Sequence, residues 1–449
     1  MFKKLSVLAI ASALIASTAC GSDEDTVESV SGVVPSEVFL GRQSTVLVLG
    51  SGTNWRAGAT ADFGDGVTVD DLQVASPSAL LATITVDPSA AGGARDVTVS
   101  DGGQSLTLTG AFFLDSPIAV DVEGDLAQGS IAIVTVTNRD IFTPFDATTE
   151  GDGFFTPLSF PNLSVVLPAG ATAQINSVDP FSVEFMLLID VNATAGLADL
   201  EILSGPAGSA DSFPLSGGLD IQARTPEALS AGGKSFDVTT PLGSHLFSYS
   251  PAGMALLDFS ATAESAEASP AFALLPASGS WSDLISFSGA VSDAGNGEYY
   301  LVYWDGAGAS GYTADLTIGE VAAAAMTESE PNDTAAAAQA SPSMPVVLQN
   351  ATLADVDDAD YIELTVAAGD VGKSIRVFTT GTDRLSDPVV DVLDSSESSL
   401  GGPSSDADFH EDFTSTPIPS AGTYYVKVTA SEFYNPAHTA YDVAIQLVN

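Results

Sequence analysis

Cysteine is almost missing from this chain, with one, Cys20, in 449 residues. That excludes an internal disulfide and any cysteine-built metal centre, so stapling falls to core packing or to hard, oxygen-ligated ions. Positive charge is nearly as scarce: 12 Lys+Arg stand against 58 Asp+Glu, a formal net charge of −46. Such a field repels phosphate backbones and anionic headgroups, which argues against nucleic acid and electrostatic membrane docking and makes cations the natural partners. Charged residues total only 16%, below the roughly 25% of ordinary proteins, so the chain is poor in bases rather than flooded with charge. The three histidines, His245, His410 and His438, are far apart in sequence, and HExxH, GxSxG and a cysteine nucleophile are all lacking. The chain therefore reads as no enzyme, and paired carboxylates are the one catalytic arrangement that so many acids could conceal. Beyond residue 15 the apolar stretches, such as Phe185 to Ile189, are strand-sized and too short to span a membrane.

What is present begins with an address. Lys3 and Lys4 precede an apolar run from Leu5 to Ile15, then Ala16-Ser17-Thr18-Ala19-Cys20. Residues 1–19 read as a secretory signal. The stretch resembles a bacterial lipoprotein signal; Ala19 fits, and Ser17 stands where that family usually has Leu. The resemblance implies lipidation of Cys20 as the mature first residue, and a place in the bacterial cell envelope, at the outer membrane or cell surface. The membrane would then be met through the N-terminal lipid only. A plain signal cleaved nearby, leaving a free thiol, is the alternative. Residues 20–30, with Gly21-Ser22-Asp23-Glu24-Asp25, form an acidic tether.

Hydrophobic residues make up 45% of the chain, with 41 Gly and 24 Pro. Short β-branched runs recur between Gly, Pro, Asp and Ser clusters, as in Ser44 to Leu49 followed by Gly50-Ser51-Gly52. The fold class expected is all-β, a row of tandem β sandwiches. The Ala-rich pieces Ala322 to Ala325 and Ala335 to Ala338 are long enough for one helical turn each. Internal echoes divide the body. Ala82-Thr83-Ile84-Thr85-Val86-Asp87 with Asp96-Val97-Thr98-Val99 is repeated by Phe185-Met186-Leu187-Leu188-Ile189-Asp190 with Asp199-Leu200-Glu201-Ile202. Farther on, Gly297-Glu298-Tyr299-Tyr300-Leu301-Val302 with Tyr312-Thr313-Ala314-Asp315-Leu316 is repeated by Gly422-Thr423-Tyr424-Tyr425-Val426-Lys427-Val428 with Tyr441-Asp442-Val443-Ala444-Ile445. Four units follow: 31–115, 116–222, 223–320 and 321–449, two of one kind and two of another.

Val34-Pro35, Gly41, Leu49-Gly50-Ser51-Gly52-Thr53-Asn54-Trp55, Ala61-Asp62-Phe63-Gly64 and Gly92-Gly93-Ala94-Arg95-Asp96-Val97-Thr98-Val99 make unit 31–115 resemble an IPT/TIG immunoglobulin-like domain. Unit 116–222 follows by the echo as a diverged Ig-like sandwich. Glu328-Ser329-Glu330-Pro331-Asn332-Asp333-Thr334, Asp357-Asp358-Ala359-Asp360-Tyr361 and Gly422-Thr423-Tyr424-Tyr425-Val426-Lys427-Val428 make the last unit resemble the bacterial pre-peptidase C-terminal domain. That family is a jelly-roll-like sandwich related to collagenase collagen-binding modules. Unit 223–320 keeps the Tyr-Tyr strand and lacks the Glu-Pro-Asn-Asp segment, so it reads as a degenerate copy without the family's ion site.

Glu328, Glu330, Asn332 and Asp333 offer hard oxygen ligands within six residues, on a segment that Pro331 stiffens. Asp357 and Asp360 lie on a later turn. In the family such residues enclose Ca2+, and Asp358 is a substitute for Asp357; a solvated acidic turn is the plainer alternative. Asp62-Phe63-Gly64-Asp65-Gly66 and Glu150-Gly151-Asp152-Gly153 lack EF-hand spacing and read as turns. Asp406, Asp408, His410, Glu411 and Asp412 alternate partly like a strand edge that would set His410 beside carboxylates for a transition metal, and a solvated loop is the favoured reading. Outward members of Tyr299, Tyr300, Tyr303, Trp304, Tyr424 and Tyr425 would make a ligand platform, while core packing explains them equally well. The expected role is a lipid-anchored, calcium-stabilised surface protein that binds or adheres to a polysaccharide or extracellular protein. An envelope spacer and a hydrolase of hidden carboxylates are the alternatives.

Overall fold

Strand after strand forms where the β-branched runs lie, because alternation gives each a buried row against one sheet face and a polar row outward. Val46 and Val48 are fully buried between the exposed Thr45 and the half-exposed Leu47 and Leu49, and Ile84 and Val86 repeat the pattern one strand over. The computed structural model describes residues 27–150, 159–284, 290–293, 297–381, 388–404, 411–431 and 440–449. The signal over 1–19, Cys20, most of the tether, residues 151–153, Asp406, Asp408, His410 and His438 lie outside them. Among the described residues there is no α-helix, only the 3-10 turns Trp281–Asp283 and Ala368–Asp370. Of the two Ala-rich pieces the first is extended and the second makes a single turn closed by Ala337 N on the Thr334 carbonyl at 2.9 Å. Ala322 ends a strand, Ala324 and Ala325 open another, and residues 335–337 form a turn. The chain is a set of tandem β sandwiches in two compact units, one ending at Pro117 and the other running from Ile118 to Asn449.

In the first unit one sheet has the order Ser29–Val34, Gln43–Ser51, Ala79–Val86, Val67–Ser76. The other runs Glu37–Phe39, Gln104–Asp115, Gly93–Asp101, Thr60–Asp62. This is the immunoglobulin arrangement of strands. Phe63 and Phe112, both fully buried, meet edge to face at 5.2 Å in the core between the sheets.

The second unit begins with the same plan. Its first sandwich pairs Ala171–Asp179, Ser182–Ile189, Ser130–Asn138, Ile118–Gly124 against Leu163–Val166, Gly196–Ser204, Asp211–Ile221. The counterpart of Glu37–Phe39 is reduced to a single parallel bridge between Ala127 and Gln222, so the echo seen in the sequence is an echo of strand order. Next come Glu227–Ala228, His245–Tyr249, Tyr299–Asp305, Pro270–Leu275 against Lys234–Val238, Tyr312–Ala322, Ala255–Ala263, Ala290–Asp293. The last sandwich sets Gln339–Ala340, Ala359–Val366, Gly422–Ala430, Pro388–Asp394 against Ala324–Thr327, Val346–Thr352, Ala440–Val448, Ser374–Gly381, Asp412–Thr414. These last two match in order and direction, including a short first strand parallel to its neighbour. The extra strand Ala324–Thr327 belongs to the final sandwich alone.

Within this unit the sandwiches dock. Trp281, 4% exposed, donates Nε1–H to the Ile189 carbonyl at 2.9 Å and packs with Ile131, Val191 and Leu246. Tyr300 and Trp304 pack against that same cluster. Leu256 packs with Val347, Phe378 and Ala444, and Arg376 bridges Asp412 and Asp258 across that joint.

Candidate metal centre

The segment 324–340 crosses from the third sandwich to the fourth and is held down at both ends. Ala324–Thr327 pairs in parallel with Val346–Thr352, and Gln339–Ala340 pairs in parallel with Ile362 and Glu363. Gln339 locks the middle: its Nε2 donates to the Thr327 carbonyl at 2.6 Å and its Oε1 accepts from Ser329 N at 2.9 Å. Between these ties lie Glu328, Glu330, Asn332 and Asp333. The Asn332 backbone N–H donates to Glu330 Oε2 at 3.0 Å, and the Asn332 carbonyl accepts from Tyr361 N at 3.0 Å.

Two groups of carboxylates result. Ligand oxygens of Glu328, Glu330 and Asp360 lie within 4.8 Å of one another, and so do those of Glu330, Asp333 and Asp358. Glu330 is common to both. Asp360 and Asn332 are wholly buried and Glu328 is half-buried. Glu328 Oε2 accepts from Thr352 N at 3.0 Å and from Thr352 Oγ1 at 3.1 Å, and Asp360 Oδ2 accepts from Tyr441 Oη. The other atoms are orphans: Glu328 Oε1, Asp360 Oδ1 and both Asn332 side-chain polar atoms are buried without a hydrogen-bond partner among the described residues. Buried carboxylate and amide oxygens left bare are costly, so a site of this kind calls for a cation. The donors are all hard oxygens, the set that Ca2+ or Mg2+ takes and that soft transition metals do not. Without an ion, burial, and next the charge of Glu328, pushes the Asp360 carboxyl up to about 8 against the pull of the Tyr441 hydroxyl, and burial raises Glu328 as well.

Of the six residues singled out from the sequence, Glu328, Glu330 and Asp360 meet in one group and Glu330 and Asp333 in the other, Asn332 lies buried on the same segment with its amide bare, and Asp357 is in neither group. Asp357 is exposed, and its N–H donates to Asp355 Oδ1 in a tight turn. Asp358 stands in its place: it joins Glu330 and Asp333 from just before the strand Ala359–Val366, its carboxylate held by the backbone N–H groups of Ala354 and Ala359. Thr352 and Tyr441 were missed. Only the recurrence of Tyr312 and Tyr441 at matching places hinted at the latter.

The third sandwich shows what happens without the acidic segment. Tyr249 pairs with Tyr299 there, as Leu364 pairs with Tyr424 in the fourth, which sets His245 at the register position of Asp360. His245 packs against the Phe236 ring at 4.6 Å, and burial, then the nearby Arg224 charge, lowers its proton affinity. Tyr312, the counterpart of Tyr441, donates instead to Asp305 Oδ2 at 2.6 Å. Asp305 is saturated from within by Ser269 N, Ala307 N and Ala309 N at 2.9–3.0 Å. Among the described residues of that sandwich no buried side-chain oxygen is left without a partner.

Other candidates resolve as packing or turns. Tyr300 and Trp304 are covered by the second sandwich, and Tyr425 packs with Tyr361, Ala335 and Ala338, so neither tyrosine pair forms an open platform. Asp62 Oδ1 accepts from Gly64 N at 2.9 Å, a turn with Phe63 in the core.

No protein-family model matches the chain, and no curated protein sequence does. Solved structures with some likeness include domains 5–6 of the S-layer protein SbsC, at 13% identity over 45% of this chain and 100% of that one, TM-score 0.15. The Yersinia pseudotuberculosis adhesin InvE matches at 13% identity over 47% of this chain and 68% of its own, TM-score 0.16. The I9-I11 tandem of titin matches at 8% identity over 64% and 94%, TM-score 0.18. Likenesses at such scores carry no argument, and the architecture rests on the strand orders themselves.

Proposed function

We propose that this is an exported, lipid-anchored bacterial surface protein that binds or adheres without chemistry of its own, and that Ca2+ is a structural part of its last sandwich. The observation that carries the calcium reading is the meeting of ligand oxygens of Glu328, Glu330 and Asp360 within 4.8 Å, with Glu328 Oε1 and Asp360 Oδ1 buried and unpartnered and the equally bare Asn332 amide on the same segment as the two glutamates. The ion would be held by Glu328, Glu330, Asn332 and Asp360, with Asp333 and Asp358 on the outer side of Glu330. Its chemistry is neutralisation: it cancels the charge of the buried carboxylates and ties residues 328–333 to the sheet. In this reading the first sandwich is an IPT/TIG module and the last a pre-peptidase C-terminal module, with the third a copy that lost its ion. Export through the signal over 1–19, anchoring at Cys20 and a charge of −46 suit a body held in water at an envelope surface.

The test of the binding role is to present the full mature chain to polysaccharide and matrix-protein arrays with and without millimolar calcium. Retention of a defined ligand class, strengthened by calcium, is expected. A chain that binds nothing in either condition would leave the spacer role in its place.

A further inference from the structure

The immunoglobulin-like sandwich of the first unit carries a cavity of about 270 Å3 at one end, between the loop that follows Gln43–Ser51, the hairpin joining its last two strands and the residue Glu28. In immunoglobulin folds this loop pair belongs to one end of the sandwich, where recognition residues are carried on a rigid frame. The loop here is fixed before any ligand arrives. Gly50 N and Trp55 N donate to the carbonyls of Ser78 and Pro77 at 2.9 and 2.8 Å, Thr53 Oγ1 donates to Pro77 O at 3.1 Å, and Arg56 N donates to Asp101 Oδ2 at 3.0 Å. Gly50 makes this possible: a Cβ there would lie 2.8 Å from the Trp55 ring and 2.3 Å from Thr53 Oγ1.

The cavity has an apolar floor of Trp55, Val99 and Leu106. Its rim is polar and unspent. The Arg56 guanidinium, the side-chain amides of Asn54 and Gln104 and the Glu28 carboxylate make no hydrogen bond or ion pair among the described residues. Planar donors and acceptors around a small apolar floor suit a ligand whose hydroxyls both donate and accept while its C–H face is apolar. The carboxylates of Glu28 and Asp101 disfavour phosphate and other anions, and the volume, near the lower end of the roughly 300–1,000 Å3 of small-molecule pockets, admits one ring.

We propose that this cavity binds a single neutral pyranose ring of a surface saccharide, with Arg56, Asn54 and Gln104 as donors and Glu28 as acceptor. It rests on the surface-binding reading above and gives that reading a ligand class and a site.

Saturation-transfer NMR on the full chain, with methyl glycosides of glucose, galactose, mannose and N-acetylglucosamine as probes, tests it. Saturation of the ring protons of at least one glycoside is expected, and Arg56→Ala should weaken that glycoside by about tenfold or more, equal to about 1.4 kcal/mol. Gln104→Ala, at an exposed position, should weaken it without lowering the melting temperature. No saturation of any glycoside, or equal saturation in the wild type and both variants, overturns the site. Array binding that persists unchanged in Arg56→Ala overturns this site and leaves the surface-binding role standing, whereas an array without any bound ligand removes that role independently.

Discussion

Removing calcium should loosen the last sandwich in a way that can be sized from the geometry. In the ion-free chain Glu328 and Asp360 bring oxygens within 4.8 Å of each other, in a place where neither can be fully hydrated. At an effective dielectric of about 20, two charges at that distance repel by about 3.5 kcal/mol, enough to keep one of them protonated near neutral pH. This agrees with the rise of the Asp360 carboxyl to about 8. A carboxyl raised above its unfolded value binds its proton more tightly when folded. Ion-free stability is therefore greatest below the unfolded value near 4 and falls as pH rises towards 8. Calcium displaces that proton and removes the slope. A hundredfold excess of calcium over Kd should add about 2.7 kcal/mol, or roughly 5–10 °C in the transition that includes the last sandwich.

Differential scanning calorimetry of the full chain from pH 5 to 8, in chelator and in millimolar calcium, reads both effects. The calcium-dependent rise should be larger at pH 8 than at pH 5. Asp360→Asn should abolish most of it while raising stability in chelator, because the buried charge is gone and the Tyr441 hydroxyl keeps an oxygen to bond. Equal transitions with and without calcium at pH 8, together with no heat of calcium binding by isothermal titration, would mean that the acidic segment is a solvated turn.

Three further outcomes follow from other contacts. Asp305, buried under four donors, has its carboxyl held low because those hydrogen bonds together outweigh burial, so its contribution is present above pH about 4 and is lost as pH falls through its folded value. Asp305→Ala should cost about 3–5 kcal/mol by urea titration, since three N–H groups and the Tyr312 hydroxyl lose their acceptor. Trp281→Ala should cost about 3–5 kcal/mol and split one calorimetric transition of the second and third sandwiches into two, because the indole fills their joint. Cys20→Ala should move the protein from the detergent phase to the aqueous phase on phase partitioning, and identical partitioning of both forms would remove the anchor.

The architecture was legible because it depends on periodicity. Val46, Val48, Ile84 and Val86 alternate with polar or half-exposed neighbours, and alternation of that kind specifies a strand whatever its partners. The internal echoes were legible for the same reason, since equal strand orders need equal spacing of runs and turns. What escaped the sequence depends on register and docking. Whether Asp357 or Asp358 joins Glu330 and Asp333 is decided by the turn before the strand Ala359–Val366, where Asp357 N–H bonds to Asp355 and the Asp358 carboxylate takes the N–H groups of Ala354 and Ala359. Tyr300 and Trp304 alternate as an outward row would, yet a neighbouring sandwich covers them, and nothing in a strand's own pattern tells solvent from a second domain.

The ion site and its missing copy explain each other. Both late sandwiches bury a tyrosine hydroxyl, Tyr312 or Tyr441, and a buried hydroxyl needs an acceptor. In the third, Asp305 comes from the end of the central strand and is saturated by the loop that follows it. In the fourth, Asp360 comes from the neighbouring strand, with one oxygen on Tyr441 and the other left over beside Glu328. One arrangement closes its hydrogen bonds within the chain. The other leaves an oxygen open beside the segment that joins the two sandwiches, so in the calcium reading proposed above the same fold would serve once as a fixed module and once as one whose attachment depends on an ion.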